Sequence, residues 1–212
     1  MTINYQQRSL TSIKTKYCSI CNHTNFLKLY TINSYSIIEC KNCGIIFVDF
    51  QLEEDQIGEF LSRLYSQEYF TGGKSNITSE KVGYSENYFI CKRNEVTRNA
   101  HHRIKKIEKL IPRKGTLLDV GCAAGFFLKV AQEKGWTCSG LEISKDAANF
   151  AIEELKIPVI VDTLENANIP ECSFDVVTSW DVIEHLFNPQ LFIENSYKIL
   201  KPGGLLVIGT PN

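Results

Sequence analysis

No apolar run in this 212-residue chain approaches the roughly 18 residues that a membrane-spanning helix needs. The start, Met-Thr-Ile-Asn-Tyr-Gln-Gln-Arg, also lacks the apolar core of a signal peptide, so a cytoplasmic location is expected. An excess of either charge is missing too. Twenty-three Lys and Arg against 24 Asp and Glu leave a formal charge of −1, which provides no electrostatic footprint for nucleic acid, and none is expected as a partner. The basic cluster His101, His102, Arg103, Lys105 and Lys106 reads as the solvated face of a helix. The buried stripe of that helix would be Ile104, Ile107, Leu110 and Ile111. The one conspicuous glycine-rich turn is not followed by Gly-Lys-Ser/Thr, which excludes a Walker-type phosphate loop, and it falls short of a complete G-x-G-x-x-G fingerprint.

That turn is nevertheless the most informative stretch. Leu117-Leu118-Asp119-Val120-Gly121-Cys122-Ala123-Ala124-Gly125-Phe126-Phe127 reads as an apolar strand, a turn of small residues and the start of an amphipathic helix. Two glycines separated only by small residues let a ligand approach the backbone where strand meets helix. Strand-like runs at 117–121, 136–141, 158–161, 174–179 and 204–208 alternate with helical stretches at 124–134, 144–155 and 189–200. This alternation predicts an α/β fold, a Rossmann-like doubly wound parallel sheet, with ligands beyond the carboxyl ends of its strands. Asp119, Glu142 and Asp162 stand at or just past three of those ends. Glu142 follows Gly121 by 21 residues, near the spacing of a ribose-binding carboxylate, which points to a nucleoside-like ligand.

Residues 93–212 resemble a class I S-adenosylmethionine-dependent methyltransferase. The resemblance rests on the turn at 117–125, Gly-Leu-Glu-Ile-Ser at 140–144, Phe-Asp-Val-Val-Thr-Ser-Trp-Asp-Val-Ile-Glu-His-Leu at 174–186 and Leu-Lys-Pro-Gly-Gly-Leu-Leu-Val-Ile-Gly-Thr-Pro-Asn at 200–212. It implies S-adenosyl-L-methionine as cofactor, with Asp119, Gly121, Cys122, Ala123 and Gly125 around its methionine part. It further implies Glu142, with Ile143 beside it, at the ribose diol, Asp162 and Thr163 at the adenine, and Ser179 and Trp180 leading toward the sulfonium. A small-molecule substrate follows. The resembling fold ordinarily adds two strands after the fifth, so the sequence reads as truncated there, with self-association through an uncovered sheet edge as one consequence.

Four of the eight cysteines form Cys18-x-x-Cys21 and Cys40-x-x-Cys43, with 18 residues between the pairs. Two such knuckles supply four thiolates, a set that suits structural Zn²⁺ in a small ribbon over residues 14–50; an iron–sulfur centre and disulfides are the alternatives. Hairpin strands are expected around 27–30 and 36–39. Cys91, Cys122, Cys138 and Cys172 read as small buried residues. The Cys-Lys-Asn-Cys-Gly-Ile-Ile-Phe segment at 40–47 and Leu-Tyr-Ser-Gln-Glu-Tyr-Phe at 64–70 resemble sugar C-methyltransferases acting on nucleotide-linked deoxysugars, and enzymes of bacterial surface-polysaccharide synthesis. A nucleotide sugar is therefore one expected acceptor; quinone-like or other secondary metabolites are the alternative, and a non-catalytic binding protein a third reading.

Residues 51–92 read as a helical linker or lid, whose Tyr84, Tyr88 and Phe89 either cover the active site or anchor the lid. His185, just past the fourth strand, is the candidate general base. Glu184 would orient it or help hold a divalent ion, Asp181 would bind substrate or cap the turn, and Tyr88 is the alternative base.

Overall fold

The computed structural model describes residues 15–50, 52, 56–57, 60–61, 88–111 and 113–211, the side chains of 88–92 excepted. The segment 64–70 that carries the sugar-methyltransferase resemblance, Tyr84, and the side chains of Tyr88, Phe89 and Cys91 lie outside the described residues.

The N-terminal part forms a three-stranded antiparallel sheet in the order β1 (Phe26–Ile32), β2 (Tyr35–Cys40), β3 (Ile46–Val48). The β1–β2 hairpin turns through Asn33 and Ser34, both with positive φ, and a register shift interrupts the pairing between Lys28 and Tyr30. The predicted hairpin thus gains a third strand, joined to β2 through the second cysteine knuckle.

The second part begins with α1 (Tyr88–Leu110). There follow β4 (Thr116–Val120), α2 (Phe126–Glu133), β5 (Thr137–Leu141), α3 (Lys145–Glu153), β6 (Val159–Ile160), β7 (Phe174–Trp180), a short 3₁₀ turn at Ile183–His185, α4 (Pro189–Ile199) and β8 (Leu200–Gly209). The sheet order is β6-β5-β4-β7-β8, and every pair is parallel. Chain reversal of strand order at β4 and β7 creates a crevice at their carboxyl ends, where open α/β sheets bind ligands. No helix among the described residues is long and apolar enough to cross a membrane.

Successive strand residues face opposite sides of the sheet. Leu117 and Val176 join Ala100, Ile104, Ile107, Phe127 and Leu128 in the core beneath α1 and α2. Leu118 and Val177 join Phe192 and Ile199 in the core beneath α4. Two of the sequence expectations change here. Leu110 is 68% exposed, because it falls in the last turn of α1, and Ala100 completes the buried stripe in its place. Cys172 is exposed rather than buried, sitting with φ 52° in the turn before β7.

At the amino ends of the strands Asp175 ties β4, β7 and β8 together. Its Oδ2 accepts from the Thr116 N–H at 2.7 Å, the Thr116 hydroxyl at 2.9 Å and Lys201 Nζ at 2.7 Å. Lys201 first, then the Thr116 N–H, hold this carboxyl below its usual range. The network lies opposite the crevice and has a structural part.

Candidate functional site

The crevice is built on the turn from β4 to α2. Gly121, Ala123 and Gly125 all adopt left-handed backbone, with φ of 75°, 47° and 77°. Gly121 is needed twice over: its φ favours glycine, and a Cβ there would collide with Val182 Cγ2. The turn is anchored to the end of β5 by N–H groups of Gly121 and Cys122, which donate to the Leu141 carbonyl at 2.8 and 3.2 Å.

Glu142 leaves β5 and closes the other side. It is buried, yet each carboxylate oxygen has one backbone donor: Ala123 N–H to Oε2 and Ser144 N–H to Oε1, both at 2.8 Å. A carboxylate has about four acceptor positions in all, so capacity remains for a further donor such as a ribose hydroxyl. Burial pushes the carboxyl upward in pKa, and the Ser144, Ala123 and Ile143 N–H groups oppose the shift by stabilising the anion. Ser144 also caps α3 by accepting from Ala147 N–H at 3.5 Å.

Asp119 faces inward from the same turn. Its Oδ1 accepts from the Thr178 hydroxyl at 2.6 Å, and desolvation raises its pKa to about 7 despite that bond and the Arg103 charge. The nearby Glu142 charge adds to the rise. Cys122 is buried beside both acids; burial first, then their charges, push its thiol well above the ordinary range. A buried neutral thiol is a poor nucleophile. Ser179 is fully buried with its hydroxyl on the Val120 carbonyl at 3.2 Å, so it braces the strands from below. Asp162 is partly exposed past β6, where Oδ1 accepts from Thr163 N–H at 2.8 Å, and Ile143 is partly exposed beside Glu142.

At the exit of β7, Trp180 packs edge-on against Phe127 at 5.4 Å between centroids. Asp181 has φ 58°, and the following 3₁₀ turn leaves Glu184 and His185 exposed beyond the strand end. The basic face of α1 divides. His101, His102, Lys105 and Lys106 are exposed as expected, but Arg103 is only one-third exposed and turns toward the end of β7. Its guanidinium lies 4.2 Å from the Trp180 ring centroid and 3.6 Å from Asp181 Oδ2. Sequence reading missed this residue, since one basic position among five shows no difference in pattern.

The cysteines make a second cluster. The sulfurs of Cys18, Cys21, Cys40 and Cys43 all lie within 4.8 Å of one another, with Cys18–Cys43 at 3.6 Å and Cys21–Cys40 at 3.5 Å. Metal–sulfur bonds of about 2.3 Å in a tetrahedron require sulfur separations of about 3.8 Å, so the quartet is close to a metal-holding arrangement. The two pairs sit on matching turns. Asn22 N–H donates to the Cys18 carbonyl and Gly44 N–H to that of Cys40, both at 2.9 Å, and both donor residues have positive φ. The thiols influence one another: the His23 backbone first, then the Asn42 side chain, lower Cys21 to about 6. For Cys43 the Ile45 backbone favours the thiolate, but desolvation and the other three thiols outweigh it and bring the value to about 12.

Comparison with known proteins fits this geometry. Residues 92–212 match the family model described as a methyltransferase domain. A ubiquinone biosynthesis O-methyltransferase of Coxiella burnetii is 31% identical over 116 residues, covering 52% of this chain and 50% of that protein. The Proteus mirabilis protein of the same name is 35% identical over 103 residues, covering 45% and 42%. The chain thus spans about half the length of the curated relatives it matches. The crystal structure of the PH0226 protein of Pyrococcus horikoshii shares the fold, with a TM-score of 0.52 at 23% identity over 59% of this chain and 66% of that one.

Proposed function

This chain belongs to the methyltransferase-domain family, and from that premise we propose that it binds S-adenosyl-L-methionine and transfers its methyl group to a small-molecule acceptor. The observation that carries the reading is Glu142, a buried carboxylate oriented by the Ala123 and Ser144 N–H groups with acceptor capacity left over. That arrangement fits a ribose diol. The turn itself offers no Lys or Arg between Gly121 and Gly125, and the Glu142 carboxylate beside it makes it electronegative. Such surroundings favour a cationic ligand and disfavour a pyrophosphate. When bound, the cofactor supplies a methyl group already activated on a sulfonium.

The chain's own residues then have the task of orienting the partners. The turn at 121–125 and Glu142 hold the nucleoside, while the exposed 3₁₀ turn presents His185 and Glu184 toward an acceptor. His185 is our candidate for taking the acceptor proton, with Glu184 as its orienting neighbour. The names of the Coxiella and Proteus relatives favour an oxygen acceptor of quinone-like type over a nucleotide-linked sugar. The cysteine quartet supports a second, structural assignment: one Zn²⁺ held by Cys18, Cys21, Cys40 and Cys43, whose filled coordination leaves no place for substrate.

Isothermal calorimetry tests the cofactor reading. S-adenosyl-L-methionine and its demethylated product should bind, NAD should not, and Glu142→Gln should lose about 2–4 kcal/mol of binding as the diol loses its charged acceptor. Equal affinity in the variant, or preference for NAD, refutes the assignment.

A further inference from the structure

We propose that Arg103 is a positioning residue that couples α1 to the cofactor turn through the exit of β7. The proposal rests on the cofactor reading above for its binding consequence, and on geometry alone for the clamp itself.

The Trp180 indole is enclosed from several directions. Gly209 of β8 lies against it so closely that a Cβ there would stand 2.6 Å from Trp180 Cε3. Phe127 meets the ring edge-on, and the Arg103 guanidinium lies 4.2 Å from its centroid. A planar guanidinium can stack on an aromatic face and pair with a carboxylate at once, which an ammonium cannot do in the same way. Here the second partner is Asp181, whose Oδ2 is 3.6 Å from Arg103 Nη2.

Asp181 has φ 58°, a left-handed conformation that costs Asp less than most side-chain-bearing residues but still more than glycine. Its N–H donates to the Gly209 carbonyl at 2.7 Å, which fixes one side of the residue, and Arg103 fixes the other. The direction in which the chain leaves Asp181 decides where Val182 goes. Val182 packs on Gly121 so tightly that no Cβ fits between them, and its carbonyl accepts from the His185 N–H at 2.9 Å. One residue on α1 therefore sets, through Trp180, Asp181 and Val182, both a wall of the cofactor turn and the start of the 3₁₀ turn.

The test uses the full chain with Trp136→Phe, which leaves Trp180 as its one tryptophan. Arg103→Ala should raise acrylamide quenching of Trp180 at least about twofold, as the ring loses its cover. It should also weaken S-adenosyl-L-homocysteine binding about tenfold, the combined size of a partly exposed cation–π contact and an exposed ion pair. Adding Asp181→Gly should restore affinity to within about threefold without lowering the quenching, because glycine adopts positive φ with no clamp. Arg103→Lys should recover only part of the affinity and leave Trp180 accessible.

Unchanged quenching in Arg103→Ala overturns the clamp. Greater quenching with unchanged affinity overturns the coupling to the turn, and a glycine that restores nothing overturns the route through Asp181. A parent protein that binds no S-adenosyl-L-homocysteine instead removes the cofactor reading and the coupling built on it, while the quenching still decides the clamp.

Discussion

Asp119 shows how a single buried acid sets a pH dependence. Its folded pKa of about 7 lies above the ordinary 3.8, so the folded protein binds this proton more tightly than the unfolded chain does. The corresponding stability is fully present below about pH 4 and is lost as pH rises through about 7. Asp119→Asn keeps an acceptor for the Thr178 hydroxyl and removes the charge. It should therefore gain about 1–4 kcal/mol of stability over wild type at pH 8 and nothing at pH 4, read from urea melts at both pH values. An equal offset at both would show that Asp119 does not titrate in this range. His185 makes a different prediction because it is exposed past the strand end. Its replacement by Ala should slow methyl transfer to a functional acceptor by about 10²–10⁴-fold, as for a lost general base, and leave cofactor affinity within about twofold. Near-normal turnover from pH 6 to 9 would remove His185 from the proton transfer. At this scale, motif spacing indicates that Glu142 stands at the end of β5 but shows nothing of the contacts Arg103 makes. Glu142 owes its place to the strand–turn geometry around it, whereas Arg103 acquires its role only from Trp180 and Asp181, far along the chain.

Among the elements, the three-stranded sheet has the least apolar burial of its own. Ile38 and Cys40 are its buried apolar residues, joined by Cys18 of the first knuckle, while Tyr30, Ile32, Ile46 and Val48 are each more than two-fifths exposed. A module with so small a core needs a staple, and four clustered thiols are suited to supply one through a metal. Purified protein should contain one zinc per chain by elemental analysis, and Cys40→Ser should abolish it. Chelation should then remove the hydrogen-exchange protection of β2 and leave S-adenosyl-L-homocysteine binding to the parallel sheet within about threefold. A protein free of zinc, or one carrying the absorption of an iron–sulfur cluster, would end this assignment. The knuckle spacing was legible because coordination imposes it; the third strand was not. Ile46–Val48 is too short to show alternation, and it forms because β2 presents an unpaired edge immediately after the second knuckle returns the chain.

For the whole molecule, β8 is the telling element. It pairs with β7 alone among the described strands, and its outer side borders a groove of about 380 Å³ between Ile107 and Leu110 of α1 and Val207 and Ile208 of the strand. For residues 1–212 taken by themselves, this strand edge and the exposed Leu110 beside it form a surface through which copies would associate. Sedimentation at increasing concentration should show reversible self-association, and Val207→Lys should shift the protein toward monomer while retaining the cofactor site. A protein that stays monomeric at every concentration would remove this association.

The sequence by itself determined the alternation of strands and helices, the glycine turn, the acids at the strand ends and the pairing of the cysteines. Each of these is local: a periodicity of two or 3.6 residues, a positive φ that favours glycine, or a ligand spacing within one turn. Only the tertiary structure decided that Asp119 turns inward to Thr178, that the Ser179 hydroxyl donates to the Val120 carbonyl, and that Leu110 stays in water. Only it brought Arg103 onto Trp180. These outcomes depend on which elements become neighbours across the sheet, and contacts between residues tens of positions apart leave no periodic trace along the chain.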